Sequence, residues 1–200
     1  PVSPLVKNVN LLRQISDGCV QHGMKLSSWT VCLHNSQIAR HHPEVTPRDV
    51  FGNPYWHGLC PANENVREYM RALVTDLTTN YHFATVELES CDYQGGHHSH
   101  AHEKVGIPLG WMERFLLGLC FCESCRNRGE ATGIDVTAVA NGVRSELVAI
   151  FESGMPTALT LDEFCDKVPE TRAYLEMRES IVSSLIAEIK AVSKASISSM

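Results

Sequence analysis

The chain has 200 residues, of which 44% are apolar and 20% charged, and its formal charge is −6 at pH 7. That length and apolar share suit one domain with a substantial core, and the acidic balance leaves no basic surplus to neutralise phosphates, which argues against nucleic acid as a partner. No run of about 18 apolar residues occurs, which argues against a membrane span, and the opening Pro1-Val2-Ser3-Pro4 has neither an initiator Met nor the charged and apolar regions of a signal peptide.

Leu5, Val9, Leu12, Ile15 and Cys19 recur at three- and four-residue steps, the spacing of one helical face, and Gly23 follows as a stop signal. The run 24–33, MKLSSWTVCL, is rich in Trp, Thr and Val and reads as a strand. It empties into a connection over 34–61 that holds Pro43, Pro47, Gly52, Pro54, Gly58 and Pro61. So long a connection between a strand and a helix marks a functional loop. The next helix begins at Asn63, a capping residue, with Glu64 at the positive end of its dipole and Val66, Met70, Leu73, Val74 and Leu77 along one face. FATVELES, from Phe83 to about Ser90, is the second expected strand. A polar stretch with Gly95, Gly96 and four histidines follows, and beyond Pro108 the apolar segment 111–119 turns helical. Further helices are expected over 136–151 and 169–192, with Thr160 and Glu163 forming a capping box for a short one between them.

Helix, strand, helix, strand, helix is the alternation of a parallel α/β architecture, in which long loops leave the carboxyl ends of the strands. Two strands make no stable sheet alone. The expected fold is therefore α/β, a partial TIM-type (β/α)8 barrel: a helix-rich fragment with at least two parallel strands, spanning 1–200 and truncated at both ends.

Three of the eight cysteines crowd into LCFCESCR, at Cys120, Cys122 and Cys125. Cys-x-Cys-x-x-Cys lets one turn of chain present several sulfurs to one tetrahedral ion, and zinc is the usual occupant. Buried apolar thiols beside Phe115 and Leu116 are the plainer alternative, and disulfides are disfavoured because Cys120 and Cys122 are too close in sequence to bridge. A zinc site needs a fourth ligand. Cys19 and Cys165 fall on expected helix faces and Cys32 lies inside a strand, which leaves Cys60, just before a helix, and Cys91, just after the second strand.

LCPANENVREYMRALVTDL, then a strand ending in ELES, then CFCESC, resembles the arrangement in the zinc-bearing β-galactosidases of glycoside hydrolase family 42. The resemblance covers 59–126 and rests on the cysteine pattern. It departs from the family where Leu88 precedes Glu89 in place of Asn, and where the histidine-rich insertion widens the gap from Glu89 to Cys120. The chain looks closer to a group of glycoside hydrolase-like barrels in which HHSHAHEK and LLGLCFC occur together. What the resemblance implies is a (β/α) barrel, a carbohydrate substrate, Cys60 as the fourth ligand of a structural zinc, and Glu89 as general acid/base, its nucleophile coming from a later strand.

Read from the residues, strand alternation puts Glu87 and Glu89 on one face of the second strand and Val86 and Leu88 on the other. If the acidic face lines a barrel, Glu89 stands at its mouth with Glu87 one layer deeper; otherwise it is a solvated face. His97, His98, His100 and His102 with Glu103 suit a divalent metal, a sugar subsite or simply a solvated loop. His34 and Asn35 after the first strand, Trp29 within it, and Tyr55, Trp56 and His57 in the long loop suit carbohydrate, since aromatic faces stack on sugar rings while polar tips fix hydroxyls, although Trp29 taken alone reads more readily as core. The expected substrate-binding set is thus Glu87, His34, Asn35, Trp56, His57, His100 and His102. Two other classes stay open: a barrel that binds a saccharide or partner without catalysis, and a metal-dependent hydrolase built on the histidine loop.

Overall fold

The computed structural model of the chain describes residues 11–95 and 109–198. Two strands, β1 (Leu26–Val31) and β2 (Phe83–Glu89), run parallel in one sheet, with Trp29 opposite Glu87 and Val31 opposite Glu89. The fold is mixed α/β, as the alternation implied, and both strands fall inside their expected segments. Helix α1 (Leu11–Gln21) precedes them, and the part of that expected helix before Leu11 lies outside the described residues.

The long connection between the strands is more ordered than its Pro and Gly content implied. It contains α2 (Ser36–His41), capped by the Asn35 side chain, which accepts from the Ile38 amide at 3.0 Å, and a 3₁₀ turn at Pro43–Val45. Isolated antiparallel bridges join His34 to Gly58 and Arg48 to Pro54, so the chain doubles back on itself before it enters α3 (Glu64–Asn80). The Asn63 side chain caps α3 by accepting from the amides of Asn65 and Val66, the role its type and position called for.

After β2 come α4 (Trp111–Leu117), α5 (Glu123–Ala131), α6 (Val136–Ser153), α7 (Leu161–Lys167) and α8 (Glu170–Ser198). The capping box at Thr160 and Glu163 opens α7 as expected. Helix α5 was not anticipated, because its sequence is polar and its first turn carries the thiols. Helix α8 has 29 residues, about 44 Å at 1.5 Å per residue, and it spans two separate cores. Tyr174, Met177 and Ile181 enter a core built from α4 to α7 and the thiols; Leu185 and Ile189 enter a second one with Leu33, Leu59, Val66, Met70 and Val74. Each fully buried side chain of this kind contributes roughly 1.5–3 kcal/mol.

A buried arginine joins the two cores. Arg67 on α3 donates from Nη1 to the carbonyls of Pro61 and Ile181, and from Nη2 to Ser184 Oγ and the Glu188 carboxylate. Arg71 holds the other Glu188 oxygen at 2.7 Å. The guanidinium fork bonds the turn carbonyl of Pro61 and the helix carbonyl of Ile181 while clamping α3 to α8.

Candidate metal centre

The doubling back of the long connection brings Cys60 inward. Leu59 donates its amide to Leu33 O at 2.8 Å, which ties the loop to the end of β1, and the Cys60 amide donates to Val45 O at 2.8 Å. The Asn63 amide then bonds Cys60 O and turns the chain into α3. The other three cysteines lie on the short link from α4 to α5. There the Phe121 amide donates to Arg48 O at 2.7 Å, the Arg126 side chain donates to Phe121 O at 3.0 Å, and the Tyr174 hydroxyl donates to Cys120 O. Phe121 and Tyr174 stack with ring centroids 5.4 Å apart. Cys122 is the N-cap of α5 and Cys125 sits in its first turn, where amide dipoles favour thiolate.

The four sulfurs of Cys60, Cys120, Cys122 and Cys125 all lie within 4.8 Å of one another, and all four residues are buried. Cys60 Sγ is 3.5 Å from Cys122 Sγ, 3.5 Å from Cys125 Sγ and 4.0 Å from Cys120 Sγ. Metal–sulfur bonds of about 2.3 Å in a tetrahedron require sulfurs about 3.8 Å apart, whereas a disulfide requires about 2.05 Å. The spacing fits four ligands around one ion and no disulfide. Buried apolar thiols have no reason to converge in this way.

The electrostatics agree. Burial, reinforced by the neighbouring thiols, pushes the Cys60 thiol up; bonding with Cys120 and Cys122 raises Cys125; and bonding with Cys120 first, then Cys125 and Cys60, lowers Cys122. A divalent ion would hold all four as thiolates. The outer contacts are also built: the Tyr93 hydroxyl lies 3.5 Å from Cys125 Sγ, and the Arg178 guanidinium lies 3.9 Å above the Tyr93 ring.

Cys60 is the partner of the trio. Cys91 packs instead near Cys32 at the ends of the strands, where hydrogen bonding between the two thiols raises Cys32 and lowers Cys91.

Of the residues singled out for carbohydrate, Glu87 and Glu89 are exposed on one sheet face with Trp29 and Val31, while Val86 and Leu88 are half-buried on the other. Just after Glu89, Ser90, at φ 56°, is the one positive-φ residue besides glycine among the described residues. His34 and His57 come together with ring centroids 6.0 Å apart, and His57 Nε2 lies 3.2 Å from Gly95 O, so both belong to the carboxyl end of the sheet. Asn35 uses its side chain as the α2 cap, and Trp56 is exposed. His97, His98, His100, His102 and Glu103 lie outside the described residues. Tyr93, Tyr174 and Arg178 around the thiols escaped sequence reasoning. Tyr174 read only as part of a helix face, and no local pattern distinguishes the other two.

Fold and site together define a mixed α/β chain with a closed, four-thiol centre able to hold a metal ion. Comparison with protein-family models, curated proteins and solved structures finds no match for it.

Proposed function

We propose that this chain belongs to a (β/α)-barrel glycoside hydrolase in which Glu89 donates the proton to the leaving oxygen and a structural zinc, held by Cys60, Cys120, Cys122 and Cys125, fixes the loops around it. The observation that carries the reading is the shared sheet face: Trp29, Val31, Glu87 and Glu89 line one side of two parallel strands, with Glu89 last at the carboxyl end. Parallel sheets are normally covered on both faces, and in a barrel such a face is the interior, opening where ligands bind. The left-handed turn at Ser90 and the His34–His57 pair at the same end add polar chemistry there. Zinc is favoured over other ions because four thiolates in a tetrahedron are its usual structural set, and a centre with no open position is structural.

Glycoside hydrolysis takes two carboxyl groups, about 5–5.5 Å apart for retention and about 6.5–9.5 Å for inversion. Glu89 supplies the acid, and a further barrel strand supplies its counterpart. Glu89→Gln in the intact protein, assayed on aryl glycosides, is expected to lower kcat by roughly 10²–10⁴-fold. Unchanged turnover would remove Glu89 from the chemistry. Elemental analysis of the purified protein is expected to give one zinc per chain, and an iron or empty centre would overturn that assignment.

A further inference from the structure

A second site lies beside the metal centre. A cavity of about 420 Å³ opens between the segment after β2, α4 and α8, and its lining includes Tyr93, Trp111, Arg114, Phe115 and Arg178. Trp111 and Phe115 are stacked, centroids 5.2 Å apart and 13° from parallel, and Trp111 is 65% exposed, so a broad aromatic surface stays open beside the cavity. Arg114 and Arg178 bring positive charge to it. Among the described residues, Arg67, Arg71, Arg128 and Arg172 pair with carboxylates, whereas Arg13, Arg40, Arg48, Arg126 and Arg144 do not. Arg114 and Arg178 have no ion pair among the described residues. The Arg178 guanidinium makes one long bond, Nη2 to Gly118 O at 3.5 Å, and its buried Nη1 has no hydrogen-bond partner. Among the described residues no carboxylate lines the cavity; Asp92 and Glu179 line a neighbouring groove that shares Tyr93, Phe115 and Arg178 with it, and Asp92 Oδ1 already accepts from Gln94 Nε2 at 3.0 Å.

Two guanidinium groups without acids, set around an aromatic platform, match a ring that carries one negative charge. We infer that this cavity is a subsite for a sugar ring bearing an anionic group, a hexuronate in the first instance, with Arg114 and Arg178 on the carboxylate and Trp111 against the ring. Position supports it. Tyr93 follows Glu89 by four residues, at most about 14 Å of extended chain, so the cavity lies within an oligosaccharide's length of Glu89. The inference rests on the glycosidase reading for its sugar and deepens it by naming an acidic substrate class.

Calorimetric titration of the intact protein with D-glucuronate and D-galacturonate, against the parent hexoses and a 6-sulfated hexose, tests this. The uronates are expected to bind at least tenfold more tightly than the neutral sugars. Arg114→Met should abolish that preference, and Arg114→Lys should keep part of it, with metal content unchanged in both as a check on folding. Tight binding of the sulfated sugar as well would support an anion subsite rather than one confined to carboxylates. Equal affinity for acidic and neutral rings, no binding of any of them, or an Arg114→Met protein with undiminished preference would each overturn the inference. Repeating the titration on Glu89→Gln separates the two proposals: uronate preference with turnover untouched by that substitution sinks the glycosidase reading alone, and lost turnover without uronate preference sinks the subsite alone.

Discussion

The two halves of this molecule differ in how completely they are finished. Around the thiols, the chain closes on itself: the sulfurs, the rings of Phe121 and Tyr174, and the apolar faces of α6 and α8 meet partners from the same 200 residues and are buried. Around the sheet, closure stops at one face. Seven of the fourteen exposed large apolar side chains among the described residues fall between Leu11 and Val31: Leu11, Leu12, Ile15, Val20, Met24, Trp29 and Val31. Helix α1 buries only Ser16, while Leu12 and Ile15 of its apolar stripe stay exposed. Among the described residues, the sheet face with Trp29, Val31, Glu87 and Glu89 is exposed, whereas parallel sheets are normally covered on both faces. One half converges on four buried thiols, a ready staple for a metal ion, and the other leaves a mixed apolar and acidic face open.

The strongest way to break the contrast is to remove the staple. Chelation, or Cys60→Ser, is expected to cost on the order of 5 kcal/mol, because structural zinc contributes roughly 10–16 kcal/mol of apparent binding energy in small peptides. Loss of metal should unravel the link from α4 to α5 first, while α3 and the sheet melt later. Hydrogen exchange with and without chelator, together with metal analysis, reads this directly. If the amides of α5 and α6 keep their protection in the metal-free protein, the thiols are mere core and the contrast collapses.

Next in size is the joint between the halves. Arg67→Ala removes the guanidinium donor from the carbonyls of Pro61 and Ile181, the second of which keeps Ser184 Oγ, and leaves Glu188 to Arg71 alone, for an expected loss of about 3 kcal/mol in thermal or urea unfolding. The pH dependence supplies its own check. Arg67 first, then Arg71, hold the Glu188 carboxyl below the usual carboxylate range against a smaller burial effect. A lowered folded-state pKa means stability present above the unfolded value of about 4.3 and lost as pH falls through the folded one. Arg67→Ala should therefore flatten the acid limb, and an unaltered limb would show that Arg71 alone sets it.

The finished half was legible in the sequence to the extent that its signals were local. Cys-x-Cys-x-x-Cys, the Asn63 cap and the Thr160–Glu163 capping box each lie within a few residues; both caps form as read, and the three thiols converge as a metal-ligating run would. What surrounds the sulfurs was not legible, because Tyr93, Tyr174 and Arg178 come from segments 32 to 54 residues away in sequence from the cysteines they serve, or reach them only through another ring. The sheet half gave the opposite result. Its two strands and the acidic alternation at Glu87 and Glu89 were plain, yet alternation alone does not say whether a polar face meets water or a barrel interior. The ordered turns inside 34–61 were hidden by prolines that serve there as bridge and 3₁₀ residues.

Packing in the finished half can be probed at Gly142 on α6, where an added Cβ would lie 2.5 Å from Val168 Cγ2 and 3.1 Å from its Cγ1. Val168 is itself buried beneath the helix, so it has little room to yield. Gly142→Ala gains helix propensity but overpacks the contact, and the net loss is expected to be about 1–2 kcal/mol. The double variant with Val168→Ala should recover most of it. A stabilised single variant would mean that the contact between α6 and the residue closing α7 is looser than its geometry.

The smallest effect sharpens the comparison most. Trp29 is 76% exposed, so Trp29→Ser in this 200-residue chain should change unfolding free energy by less than about 0.5 kcal/mol, the usual range for surface sites. A tryptophan that lines a barrel interior would behave otherwise once neighbouring strands cover it. The same substitution in a longer protein that closes the sheet should cost roughly 3 kcal/mol or more, the range for deleting a large buried ring. The two measurements differ only in what lies over β1 and β2. Equal, small losses in both would leave Trp29 solvated in either context and would turn the acidic face beside it into an ordinary surface, while a large loss confined to the longer protein would make that face an interior with Glu89 at its rim.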